Sequence, residues 1–82
     1  MRYEFYPSRG GRVDITTTEE MSLEMLQEKV GGYIELVLGE KQDTFCVNED
    51  GQLKDLPRNA RWPRFVGDVV RGRMVGSQFI GF

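Results

Sequence analysis

A nucleophile needs a base to activate it, and this chain of 82 residues contains no histidine and one cysteine. Those two counts remove Ser-His and Cys-His chemistry, most metal sites and any internal disulfide. Cys46 stands between Phe45 and Val47, an apolar setting that predicts a buried, inert thiol. Glu35, Glu49, Asp50 and Asp68 are the carboxylates best placed for acid–base work, yet no two have the spacing of a catalytic pair. Asn48-Glu49-Asp50-Gly51 offers hard oxygen ligands, but it lacks the ligand spacing and closing glutamate of a calcium loop, and Asp-Gly suits a tight turn. Gly10-Gly11 is not followed by the Lys-Ser/Thr of a phosphate-binding loop, and Gly31-Gly32 ends a helix instead of starting one. The expectation is a protein that is not an enzyme and uses no metal or cofactor.

Binding chemistry concentrates in one stretch, Leu56-Pro57-Arg58-Asn59-Ala60-Arg61-Trp62-Pro63-Arg64-Phe65. Arg58, Arg61 and Arg64 recur every three residues around the only tryptophan of the chain. Guanidinium groups fork onto phosphates and carboxylates, and Trp and Arg are both enriched at interaction hot spots. Prolines hold such a loop in shape and lower the ordering cost of binding. The expected contact surface is Arg58, Asn59, Arg61, Trp62 and Arg64, with Tyr33 and Glu35 contributing from an exposed sheet face. The same residues also fit a structural role, with Trp62 and Phe65 closing one end of the core and the arginines paired to an acidic helix.

The elements that position this stretch are short. Arg2–Tyr6 and Arg12–Thr17 alternate like strands around the turn Pro7–Gly11, which predicts a hairpin with Val13 and Ile15 on one face. Ser22 is a good helix N-cap, Leu23, Leu26 and Val30 share one helical face, and Gly31-Gly32 supplies a left-handed stop, so a helix is expected near 22–31. Tyr33–Leu38 reads as a half-buried central strand, joined by a polar turn to a strand over Thr44–Asn48. Pro57 and Pro63 make 52–65 an irregular loop. Val66–Arg71 and Met74–Phe82 return to short strands interrupted by glycines. The predicted fold is α+β over a single domain, 1–82: one short helix packed on a small, twisted, mostly antiparallel sheet. Its expected core is Phe5, Val13, Ile15, Leu23, Leu26, Val30, Ile34, Leu36, Phe45, Val47, Val69 and Phe79.

Charge is split unevenly. Residues 1–50 carry five basic and eleven acidic side chains, and residues 51–82 carry six basic and two acidic, within a net charge of −2. A negative total argues against nucleic acid as the main partner, because affinity there comes from neutralised phosphates. No apolar run is long enough for a membrane span, and Met1–Tyr6 lacks the apolar stretch of a secretory signal, so no membrane association and a cytoplasmic location are expected.

The blocks Leu26–Glu35, Val47–Lys54, Leu56-Pro57-Arg58-Asn59 and Gly67-Asp68-Val69-Val70 together give the pattern Val-Gly-Gly-Tyr-Ile-Glu, Val-Asn-Glu-x-Gly, Leu-Pro-x-Asn, Gly-Asp-Val. In this order they resemble a family of small domains of uncharacterised function carried by bacteriophages, plasmids and other mobile elements. The resemblance covers roughly residues 22–76, and the chain departs from the pattern in its N-terminal hairpin, its Trp62-Pro63 loop and its glycine-rich tail. It implies a phage or mobile-element origin and a compact α+β domain, and it brings no catalytic residue. The resulting expectation is a non-enzymatic protein that inhibits a host defence protein by direct contact inside a bacterial cell. Sequestration of a small anionic nucleotide signal and regulation through nucleic acid are the alternatives. A domain this small is also expected to form a homo-oligomer, through an edge strand or through the apolar side chains of Met74–Phe82.

Overall fold

The computed structural model describes residues 1–82. Its elements are β1 (Arg2–Tyr6), β2 (Val13–Thr16), α1 (Leu23–Val30), β3 (Ile34–Leu38), β4 (Asp43–Asn48), β5 (Val69–Val75) and β6 (Gln78–Ile80). Every strand pair is antiparallel, in the order β2-β1-β5-β4-β3 with β6 beside β5. One short helix on a mostly antiparallel sheet of six strands is the α+β arrangement expected from the sequence. No helix is long and apolar enough to cross a membrane.

Alternation along the strands sends side chains to two faces. On one face, Tyr3, Cys46, Val70 and Phe79 pack with Met21, Leu26 and Val30 beneath α1. The helix starts at Ser22, whose hydroxyl accepts the Met25 N–H, and stops at Gly31, at φ 80°, whose N–H reaches the Gln27 carbonyl. On the opposite face, Tyr6, Phe45, Val47 and Val69 pack with Phe65, and Trp62 and Val37 lean against them. The irregular segment between β4 and β5 therefore covers the face that the helix leaves bare.

Three of the residues expected in the core are exposed: Val13, Leu23 and Leu36. The physical reason is coverage. The helix packs over β3, β4 and β5 and does not extend to β2, where Val13 lies. Leu23 begins the eight-residue helix and has no sheet beneath it to bury it, and Leu36 lies on the sheet margin. Tyr33–Leu38 is likewise an edge strand and not a central one, because β4 pairs on its other side with β5 and nothing follows β3.

β5 is shared lengthwise. Val69–Arg71 pair with β1, and Arg73–Val75 pair with β6. Gly72 lies between these two stretches, and a Cβ there would stand 2.5 Å from the Ile80 carbonyl oxygen. Glycine thus lets β6 close on β5, and the strand runs through it instead of ending there as expected from the sequence. The chain turns at Gly76, at φ 60°. Beyond β6, Phe82 donates its N–H to the Arg2 carbonyl at 2.7 Å and accepts the Arg2 N–H at 3.4 Å. Phe79 is buried in the core beneath α1, Ile80 is half-buried, and Phe82 lies under the Arg2 and Arg71 guanidiniums. The tail is thus covered in part within the chain, while Val75 and Phe82 keep exposed apolar surface.

Candidate functional site

The site is the sheet face opposite the helix, where the loop after β4 lies. Asn59 fixes that loop. Its side-chain amide donates to the Tyr6 carbonyl at 3.0 Å and to the Gly67 carbonyl at 2.9 Å. Its side-chain oxygen accepts the N–H groups of Arg61 and Trp62, each at 3.0 Å. Asn59 is fully buried. It ties the loop to β1 and to the approach of β5, and it does not reach a partner as expected from the sequence. A bridge between Arg58 and Val66 and a bond from the Ala60 N–H to the Ser8 carbonyl, 2.8 Å, complete the anchorage.

Held in this way, Trp62 meets Tyr6 edge-on at 5.6 Å and Phe45 at 4.8 Å between ring centroids. It is half-buried, and its Nε1 has no hydrogen-bond acceptor. The Arg61 guanidinium stacks 3.9 Å over the indole, and Arg64 lies 4.6 Å over Phe65 and 5.1 Å over Phe45. Arg58, Arg61 and Arg64 are exposed, and none of them pairs with a carboxylate. Arg58 spends one donor on the Pro63 carbonyl at 2.6 Å, closing the loop. Of the structural role, the core-closing part is seen and the pairing of the arginines with an acidic helix is not. Phe65 is buried and Trp62 packs on the core, while the arginines face away from the helix and keep their charge free.

Beneath the arginines lies a charge network that sequence reading missed. Glu4 is buried mid-strand and accepts bonds from the Tyr6 hydroxyl at 2.6 Å, Arg71 at 2.6 Å and Arg2 at 2.8 Å. Arg71 also reaches Asp43 at 2.8 Å, and Arg12 pairs with Asp14 at 3.1 Å. Burial alone would raise the Glu4 pKa, but the three hydrogen bonds and the Arg71 charge bring it down to about 2. No local signal in the sequence points to it, because the pairing that sets Glu4 opposite Arg71 joins strands far apart in the chain.

Glu35 and Arg64 line one groove of about 450 Å³ together with Val47, Glu49 and Phe65. A second groove, about 300 Å³, lies between Trp62, Arg64, Phe45, Glu40 and Asp43. Tyr33 is not part of this face; it is exposed beside Gln27, Gly32, Asp50 and Lys54. Cys46 is fully buried, and burial pushes its thiol up to about 12, so it is not a nucleophile in the folded chain.

Residues 5–80 match the family model described as a domain of unknown function, DUF3846, and the chain belongs to that family. The match reaches into β1 and through β6, beyond the blocks that carried the resemblance in the sequence. No curated protein and no solved structure gives a match.

Proposed function

We propose that this DUF3846 domain is a non-enzymatic binding protein of phage or mobile-element origin, which inhibits a host defence protein by docking its Arg61–Trp62–Arg64 face on an acidic surface. The observation that carries this reading is the pair of unpaired guanidiniums stacked on a rigidly held aromatic cluster. Such a surface is already ordered, so association loses little side-chain entropy, and a half-buried tryptophan flanked by arginines has the make-up of a hot spot. The phage origin rests on the resemblance of the sequence blocks to domains carried by mobile elements. Its site of action is then the cytoplasm of a bacterial host.

A protein partner fits better than a small anionic nucleotide. Glu35 and Glu49 line one groove beside Arg64 and Glu40 lines the other, so the face asks for a partner of mixed charge, acidic opposite the arginines and basic opposite these carboxylates, which a protein surface supplies and a small nucleotide does not. The same carboxylates and the net charge of −2 weigh against nucleic acid. The test uses the wild type and Arg61→Glu/Arg64→Glu as paired baits in host lysate, followed by affinity measurement with the purified captured protein. The wild type retains an acidic host protein, the variant binds it at least ~10-fold more weakly, and cyclic dinucleotides and ADP-ribose derivatives give no thermal shift. Equal binding by both baits, or a clear nucleotide shift, overturns the reading.

A further inference from the structure

We infer that β3 is a self-association edge and that two copies of this chain pair β3 to β3 in antiparallel register about Leu36. The hydrogen-bond pattern shows which backbone groups are free. The Glu49 N–H donates to the Tyr33 carbonyl at 2.8 Å, and the Gly39 N–H to the Asp43 carbonyl at 2.7 Å. Odd-numbered residues of this strand therefore turn their backbone groups toward β4, and Ile34, Leu36 and Leu38 turn theirs outward. Sheet edges with free N–H and C=O rows recruit another strand unless they are blocked. β3 carries no proline, bulge or lysine and only one charge, Glu35, whereas the other margin, β2, is shorter and is flanked by the Arg12–Asp14 ion pair.

The side chains of the same three residues lie on the helix side, and there the helix leaves the margin bare. Leu38 is 65% exposed and Leu36 is 36% exposed.

A second copy satisfies this edge without setting like charges directly opposite each other. Centring the pairing on Leu36 sets Ile34 against Leu38 and Glu35 against Val37 of the second copy. It also brings Glu40 opposite Gly32 of the second copy, where the Lys54 ammonium sits, donating to the Gly31 carbonyl at 3.4 Å. Glu40 and Lys54 have no ion-pair partner within one copy, so this register pairs a free anion with a free cation twice. Nothing in this pairing depends on what the arginine face binds.

Sedimentation equilibrium of the purified chain tests it, with a species at twice the 9.5 kDa protomer mass expected at micromolar concentration. Leu36→Lys/Leu38→Lys raises the dimer dissociation constant at least ~100-fold, and Val13→Lys on β2 leaves it unchanged. Glu40→Lys and Lys54→Glu each weaken the dimer ~2–5-fold, and together they restore it, which fixes the register. In the wild type, hydrogen exchange at the amides of Ile34, Leu36 and Leu38 slows as concentration rises, a readout that needs no variant to fold. A monomer at every concentration, a dimer indifferent to the β3 substitutions, or fast exchange at those amides in the dimer overturns the inference. Failure of the charge swap to restore association overturns the register.

Discussion

Glu4 is the residue on which the lower sheet face is balanced. It is an anion inside a strand, tolerated because Tyr6, Arg2 and Arg71 each donate to it. Its pKa falls from 4.5 to about 2 on folding, so the unfolded chain binds the proton more readily than the folded one. The stabilisation is then fully present above pH 4.5 and is lost as pH falls toward 2, amounting to about 3 kcal/mol. Urea unfolding across that range should show the loss, and Glu4→Gln should flatten it while lowering stability at neutral pH. Asn59 is the second such residue. Asn59→Ala leaves the buried Tyr6 and Gly67 carbonyls and two loop N–H groups without their partner. A cost of about 2–4 kcal/mol is expected in the same unfolding measurement. If the variant matched the wild type, the loop would not be held by this amide.

At the level of elements, local signals were legible wherever they are self-contained. The Ser22 cap, the Gly31 stop, the β1–β2 and β3–β4 hairpins and the irregular run after β4 all follow from residues close in sequence. What was not legible depends on which strands become neighbours. Leu36 reads as core and is marginal because β3 ends the sheet; Asn59 reads as a polar contact and is internal because the loop folds back onto β1. Arg61, Trp62 and Arg64 were identifiable by type and spacing, but their orientation comes from that fold-back, and Tyr33 ends up elsewhere. Gly72 illustrates the same limit, since its need for a missing side chain comes from Ile80, which only topology brings near. Gly72→Ala forces β6 away from β5, and a loss of at least ~2 kcal/mol is expected, with faster amide exchange confined to Gln78–Ile80 and their partners on β5. Uniform destabilisation without that local opening would contradict the close approach.

For the whole molecule, the two faces of one sheet divide the labour. The helix buries one face, and the loop both seals the other and arms it with cations, so the acidic N-terminal part and the basic C-terminal part meet in a single structure. An antiparallel β3 pair has its two-fold axis perpendicular to the sheet, so both arginine faces of the inferred dimer point the same way. The two β4 strands are then three strand spacings apart, ~14–15 Å, close enough for one target to be gripped twice. The meeting of Arg2 with Phe82 has a separate consequence. Phe82 and Arg2, far apart in sequence, clasp each other through two backbone bonds beside β1. Because the Phe82 ring also lies under the Arg2 and Arg71 guanidiniums, both of which hold Glu4, loosening that clasp would be felt by the buried anion.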